Sequence, residues 1–161
     1  MPPTEGGGME INMSFYVIGD IHGCYDEFLL MLEKIEYTKA DVLILIGDYI
    51  DIGLYNHEMI DWLFKNSSIK VIPLKGDHEL RFINDINMLN LKSKNREKDI
   101  YNICCELNNQ NNSFDSYGTI RTLITNNGYD LYMLNKVMDY FIKLPRTFRR
   151  TINKKNYCIA H

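Results

Sequence analysis

Three short clusters of acidic residues and histidine are the part of the sequence best suited to chemistry. They are Gly19–Gly23 (GDIHG), Gly47–Asp51 (GDYID) and Gly76–Glu79 (GDHE), and each follows an apolar run. Mixed carboxylate and imidazole ligands suit Mn, Fe or Zn better than Mg or Ca. A single Gly-Asp after a strand is usually a turn, but the same arrangement at three places predicts a metal site.

The apolar runs predict the elements that hold these clusters. Three short runs are rich in Val, Ile, Leu and Phe and have a glycine one or two residues beyond their end, which favours buried strands: Ser14–Ile18, Val42–Ile46 and Ile69–Leu74. Between them, Tyr25–Glu36 and about Asn56–Asn66 carry apolar residues on one helical face. The order β-α-β-α-β, with a further helix after the third cluster, indicates a parallel sheet with crossover helices. The carboxyl ends of its strands would bring the clusters to one edge.

Five side chains are the candidate metal ligands. Asp20 and His22 are two residues apart in a non-helical loop, so both can reach one ion. Asp48 has two carboxylate oxygens and can bridge to a second ion, which Asp77 and His161 would hold. Two ions about 4 Å apart clamp a phosphate, generate hydroxide near neutral pH and stabilise an in-line displacement. The predicted cofactor is therefore two divalent ions, with Mn favoured and Fe or Zn as alternatives.

Two further residues form the candidate catalytic pair. His78 is next to a ligand position and would face the cleft, where it could protonate the leaving alkoxide. Asp51 would fix the tautomer of that histidine and stabilise its protonated form. His57, early in a predicted helix, is expected to face solvent.

Composition narrows the class of protein. The 161 residues are enough for one domain, and a hydrophobic content of 45% is typical of a soluble globular protein. The net charge of −3 indicates no preference for nucleic acid or membrane, and no apolar run approaches the roughly 20 residues of a membrane span. Without an export signal or metal-motif spacing, the four cysteines are expected to be free, mostly buried thiols in the cytoplasm.

The remaining sequence predicts a leader, a helical block and a closing hairpin. Residues 1–8 are expected to be a flexible leader or tag, which leaves 9–161 as the domain. Helices are predicted on both sides of a polar loop at 108–113, at Asp99–Leu107, Thr119–Thr125 and Asp130–Lys143. Strands are predicted at Thr147–Ile152 and Tyr157–Ala160, joined by a turn at 153–156.

The last residue, His161, follows an apolar strand as the earlier clusters do, which is why we expect it to be a ligand. We also expect a covering part of the second sheet to be missing beyond it. The strand would then have an open edge that can pair with another chain.

Taken together, the clusters resemble the GDxHG, GDxxDRG and GNHE blocks of the calcineurin-like metallophosphoesterases. The likeness is greatest to the phosphoprotein phosphatase branch in its compact bacterial and phage form, through Tyr16–Leu32, Leu144-Pro145 and Tyr157–His161. The resemblance implies an α/β/β/α sandwich, lacking the C-terminal part of its second sheet. It also implies that metal-bound hydroxide attacks a phosphomonoester.

The resemblance also assigns roles to individual residues. By this resemblance, Asp20 and His22 match ligands of the first metal, Asp48 matches the bridging ligand, and His161 matches a ligand of the second metal. His78 matches the catalytic acid, and Asp51 matches the partner of that acid. Asp77 stands where the family has an Asn ligand. Ile52 occupies the place of a phosphate-binding Arg, so a bidentate charged contact with the substrate is missing and affinity should fall. Arg81 is expected to form a structural ion pair rather than to replace that Arg.

Three functions follow from this resemblance. The first is a protein serine/threonine phosphatase, acting on a phosphorylated protein or a small phosphoester. The second is a dinucleoside tetraphosphate hydrolase, because that group carries the same blocks. The third is a catalytically impaired binding module, which Ile52 favours and the otherwise intact clusters oppose.

Overall fold

The computed structural model describes residues 13–95, 102, 116–152 and 154–161. Within these ranges the protein has two sheets and five helices, which confirms the predicted α/β class. The strands are β1 (Phe15–Ile18), β2 (Val42–Leu45), β3 (Val71–Pro73), β4 (Thr147–Ile152) and β5 (Lys155–Ala160). The helices are α1 (Tyr25–Lys34), α2 (Asn56–Asn66), α3 (Asp77–Asn95), α4 (Ser116–Asn127) and α5 (Leu131–Lys143).

The first sheet contains three parallel strands in the order β1-β2-β3. Phe15 lies opposite Val42 in the first pair, and Leu43 lies opposite Val71 in the second. Every residue of the central strand β2 is buried, as its uninterrupted apolar sequence predicts. All three strands therefore end at the same edge, where the three clusters begin.

The two faces of β2 contact different layers. Leu43 and Leu45 join the core formed with the helices, whereas Val42 and Ile44 belong to a separate cluster with Leu74. This split follows from the alternation of side chains along a strand. Helices therefore cover one face of the first sheet, and the second sheet covers the other.

The second sheet is an antiparallel hairpin of β4 and β5. Phe148 and Ile159 lie opposite each other in it, and both pack against the Val42 and Ile44 face of the first sheet. The described residues therefore form three layers in the order helix, sheet, sheet, which are three of the four layers of the predicted α/β/β/α sandwich.

Local sequence explains how the helices begin and pack. Asp26 and Glu27 lie in the first turn of α1, where negative charge favours the helix dipole. At α5 the side chain of Asp130 caps the helix by accepting a hydrogen bond from the Met133 N–H, at 2.8 Å. Between α3 and α5, Phe82 and Phe141 are fully buried with ring centroids 5.4 Å apart.

Several predicted boundaries were wrong by a few residues. The first helix stops at Lys34 rather than Glu36, because Glu36 has a left-handed φ of 53°. Strand β5 begins at Lys155, two residues before the predicted start at Tyr157. Helix α3 begins at Asp77, so it already contains most of the third cluster.

Two predictions of burial were also wrong. Cys24 and Cys158 are free thiols, as expected, but both are exposed. His57 is half-buried rather than solvent-facing, and its Nδ1 lies 3.1 Å from the Tyr129 hydroxyl.

Some predictions fall on residues outside the described ranges. These are the leader at 1–8, the helix Asp99–Leu107 with its two cysteines, apart from its residue 102, and the polar loop at 108–113. Among the helices that the structure describes, none combines the length and apolarity needed to cross a bilayer.

Candidate metal centre

Backbone hydrogen bonds join the first cluster to the second at the carboxyl end of the sheet. The N–H groups of Ile21 and His22 both donate to the carbonyl of Asp48, at 2.9 and 2.8 Å, and Gly23 donates to Tyr49 at 2.8 Å. His22 and Asp48 adopt left-handed φ values of 48° and 52° to make these contacts. The two loops are therefore fixed to each other before any side chain is considered.

The buried carboxylate of Glu79 joins the second cluster to the third. Its Oε2 accepts hydrogen bonds from the N–H groups of Asp48 and Gly76, at 2.9 and 2.8 Å. Its Oε1 accepts one from the N–H of Tyr49, at 2.8 Å. Burial raises the pKa of Glu79, although these hydrogen bonds act in the opposite direction. Glu79 had no predicted role, because partners on the backbone leave no pattern in residue types.

Two glycines allow the second and third clusters to approach this closely. Gly47 has a φ of 115°, and a Cβ there would collide with the backbone of Gly76. A Cβ on Gly76 would in turn collide with the Asp48 carboxylate. The Gly-Asp pairs of the sequence therefore reflect packing as well as turn geometry.

The Asp48 carboxylate is the centre of the site. It is shared by two groups of potential ligands, His22–Asp48–His78 and Asp20–Asp48–His161, and the ligand atoms of each group lie within 4.8 Å of one another. Asp48 is 4% exposed, and burial raises its pKa, which shows that a negative charge there is poorly solvated. A cation would compensate this charge, so the donor set fits divalent metal ions.

His22 is oriented as a ligand would be. Its Nδ1 lies 3.0 Å from the carbonyl of Ile50, which can only accept, so Nδ1 carries the proton. Nε2 is then left with a lone pair, 3.8 Å from Asp48 Oδ2. Histidines that bind metals are commonly fixed in this way by a hydrogen bond from the other ring nitrogen.

His161 lies among three carboxylates on the exposed side of the site. Its Nε2 is 3.3 Å from Asp77 Oδ1 and 3.5 Å from Asp48 Oδ2, and its Nδ1 is 3.8 Å from Asp20 Oδ1. Partial burial alone would lower the pKa of His161, but the surrounding carboxylates outweigh it and raise that pKa. The carboxylates thus favour the protonated form of His161.

All five predicted ligands thus lie around one centre, but their grouping differs from the predicted pairing. The structure groups Asp20 with His161 rather than with His22, and it places His78 beside His22. Asp77 reaches the centre through His161, while its other oxygen binds Arg81 at 2.6 Å. The distribution of these ligands between two ions stays a prediction.

The predicted catalytic pair, His78 and Asp51, lies beside the same centre. His78 Nδ1 lies 2.7 Å from Asp51 Oδ2, and both residues are buried. The His78 ring contacts the His22 ring edge to face, with centroids 4.6 Å apart. Asn56 at the start of α2 accepts a hydrogen bond from the Asp51 N–H at 2.8 Å. The sequence analysis missed Asn56, whose polar side chain at a helix start was the available signal.

Ile52 has an unusual backbone conformation beside this pair. Its φ is 67°, and the N–H of Gly53 donates both to His22 and, across a γ-turn, to Asp51, at 2.8 Å each. The side chain is 67% exposed and carries no charge. Arg81 binds Asp77 instead of replacing the missing Arg, as expected for a structural ion pair.

Most of the chain matches a known family, and it also matches individual proteins over part of their length. Residues 13–156 match the family described as Calcineurin-like phosphoesterase. A symmetrical bis(5'-nucleosyl)-tetraphosphatase of Shigella dysenteriae serotype 1 is 34% identical over 88 residues, which are 54% of this chain and 30% of that protein. A protein of the same name from Buchnera aphidicola subsp. Acyrthosiphon pisum is 39% identical over 72 residues, or 44% and 26%. These matches span less than a third of the relatives' length.

Among solved structures, the chain is similar to a protein serine/threonine phosphatase from Saccharomyces cerevisiae with similarity to human phosphatase PP5. The TM-score is 0.53, and the likeness covers 94% of this chain and 41% of that one. Sequence identity over this likeness is 16%, so it shows a shared fold and nothing finer.

Proposed function

The chain belongs to the calcineurin-like phosphoesterase family, and from that premise we propose that it is a metal-dependent hydrolase of phosphoric esters. The observation that carries the proposal is the poorly solvated Asp48 carboxylate, shared by two groups of ligand atoms beside the His78–Asp51 pair. This arrangement supports a site that would hold two cations next to a group that could transfer a proton.

The residues that would hold two divalent ions, with Mn²⁺ favoured, are Asp20, His22, Asp48, Asp77 and His161. When bound, such ions polarise a phosphoryl oxygen and neutralise the charge of the ester. The protein contributes ligands of fixed orientation. His22 is the clearest case, because its Nδ1–H donates a hydrogen bond to the carbonyl of Ile50.

His78 is the proposed proton donor. Nδ1 carries one proton, which it donates to Asp51, so the other nitrogen of a charged ring presents the proton that can be transferred. As water takes the place of the leaving oxygen on phosphorus and releases a proton to solvent, the leaving oxygen takes the proton from Nε2, which solvent later restores. Asp51 holds the ring in position during this transfer.

Substrate binding should depend mainly on the ions. Ile52 offers no hydrogen bond to a phosphate, and the Arg81 guanidinium is engaged by Asp77. We therefore expect a high KM for simple phosphomonoesters.

Two substrate classes are proposed for this site. Phosphoserine or phosphothreonine in proteins is favoured by the motifs shared with the phosphoprotein phosphatase branch. Bis(5'-nucleosyl) tetraphosphates are favoured by a separate observation, the 34–39% identity to relatives named for that activity. Both substrates would use the same ligands and the same proton donor.

The first experiment is hydrolysis of para-nitrophenyl phosphate by the full chain with Mn²⁺. We expect turnover that chelator abolishes and that His78→Ala lowers by about 100-fold or more, with Mn²⁺ binding retained. His57→Ala is the matched control, since that imidazole contacts Tyr129 instead of the centre. Folded, Mn²⁺-loaded protein without turnover would contradict the proposal and leave the binding-module alternative.

The second experiment compares substrates. Rates are measured on a phosphoserine peptide and on diadenosine tetraphosphate, with Mn²⁺ saturating in both. The larger kcat/KM identifies the substrate class, and loss of both activities in His78→Ala shows that they share one site.

A further inference from the structure

We propose that Thr119 is a positioning residue for the His78–Asp51 pair, which makes helix α4 part of the catalytic apparatus. The inference rests on the proposed function. It concerns a helix that the sequence predicted only as part of a helical block.

The Asp51 carboxylate is held through both of its oxygens. Oδ2 accepts the hydrogen bond from His78 Nδ1, and Oδ1 accepts one from the Thr119 hydroxyl. The terminal torsion of an aspartate is otherwise broad, so a contact to one oxygen leaves the carboxylate free to turn. The contact from Thr119 to Oδ1 adds a restraint on the carboxylate plane, and through it on the direction of the His78 ring.

The other threonines of α4 show that this contact is specific. Thr122 and Thr125 donate to the carbonyls of Gly118 and Arg121 within their own helix, each at 3.0 Å. That is the usual behaviour of a helical threonine. Thr119 instead donates to a residue 68 positions earlier in the chain.

Burial makes the contact costly to replace. Thr119 is 6% exposed and Asp51 is 3% exposed, so solvent has little access to either group. The neighbouring side chains Ile120 and Leu123 are fully buried in the main core, which fixes α4 in place. The position of Thr119 is therefore set by core packing, and the helix transmits that position to the catalytic pair.

The test compares Thr119→Val, Thr119→Ser and Thr122→Val in the full chain with Mn²⁺ and para-nitrophenyl phosphate. We expect Thr119→Val to lower kcat by about tenfold with KM and Mn²⁺ affinity unchanged. Thr119→Ser keeps the hydroxyl and should recover kcat to within about twofold. Thr122→Val removes a hydroxyl from the same helix and should match the wild type.

A second measurement separates positioning from a general loss of structure. In an Asp51→Asn background, Thr119→Val should cause no further loss of kcat, because the contact through which it acts is already changed. An unchanged kcat in Thr119→Val, or an equal loss in both backgrounds, would overturn the inference.

A third readout does not need activity. Before Mn²⁺ is added, the His78 Nδ1–H proton should give a slowly exchanging NMR signal in wild type and Thr119→Ser, and a broadened one in Thr119→Val. If the wild type proves inactive, the proposed function fails and this signal alone decides the role of Thr119. A sharp signal in Thr119→Val would then overturn the inference.

Discussion

The two sides of the candidate metal centre are built differently. On the inner side, His22 and His78 flank Asp48, and each ring is oriented by a hydrogen bond from its Nδ1, at 3.0 and 2.7 Å. On the outer side, the side chains of Asp20 and Asp77 are 53% and 49% exposed. The ring nitrogens of His161 lie 3.3–3.8 Å from the carboxylate oxygens of Asp20, Asp48 and Asp77. The inner side is fixed by backbone and buried groups, and the outer side is fixed mainly by its own charges.

The two sides therefore differ in how much their ligands must change when an ion binds. The inner ligands already have the orientation that binding needs, so ion binding costs little side-chain conformational entropy there. The outer carboxylates, by contrast, raise the pKa of His161, so binding of an ion there competes with protonation of that ring. The predictions below test whether the two sides differ in this way, beginning with the largest effect.

Glu79→Ala should destabilise the protein by about 3 to 5 kcal/mol, because three buried N–H groups lose their acceptor. The free energy of unfolding is measured by urea denaturation. Glu33→Ala removes an exposed carboxylate from α1 and should change it by less than about 0.5 kcal/mol. A Glu79→Ala protein as stable as this control would show that the inner side does not depend on the buried carboxylate.

His22→Ala should weaken Mn²⁺ binding by about 100-fold, and His161→Ala by about tenfold. The difference arises because the His22 ring is already oriented by the Ile50 carbonyl, whereas the contacts of His161 are only to carboxylates, two of which are about half exposed. Isothermal titration calorimetry on both variants measures the two affinities. Equal losses would contradict the distinction between the two sides.

Ile52→Gly should stabilise the protein by about 1 kcal/mol, since glycine adopts the left-handed conformation of this γ-turn without strain. Urea denaturation provides the measurement. Ile69→Gly is the matched control, because Ile69 is 93% exposed and has no positive φ, and it should be slightly destabilising. The same sign for both substitutions would argue against strain at Ile52.

Arg81→Ala should cost at most about 0.5 kcal/mol, although the Arg81–Asp77 contact is short at 2.6 Å. Both side chains are about half exposed, and exposed pairs one helical turn apart contribute little. Lys65→Ala breaks the similar Lys65–Asp61 pair on α2 and should have an effect of the same size. A loss above about 1.5 kcal/mol would mean that the outer side is stiffer than its exposure indicates.

The sequence was sufficient to predict the framework, because that framework depends on short-range patterns. Apolar runs that end in Gly-Asp predicted three parallel strands, and apolar periodicity predicted α2 at its observed bounds. The same clusters contain three of the four residues that the structure groups with Asp48, namely Asp20, His22 and His78, and the fourth, His161, follows a later apolar strand.

The supporting residues could not be predicted in this way. Glu79 acts on backbone N–H groups, and Thr119 contacts a residue 68 positions away, so neither has a partner that residue types reveal. The exposure of Cys24 and Cys158 was also missed, because it depends on how loops and the hairpin pack.

The contacts of Glu79 have a consequence for how the protein opens. The amide protons of Asp48, Tyr49 and Gly76 all depend on one carboxylate that belongs to a third loop and its helix. Breaking any one of these bonds by moving the helix breaks the others, so the three amides should exchange with solvent at a common rate. The centre then behaves as a single cooperative unit, which either is closed with its ligands in position or opens as a whole.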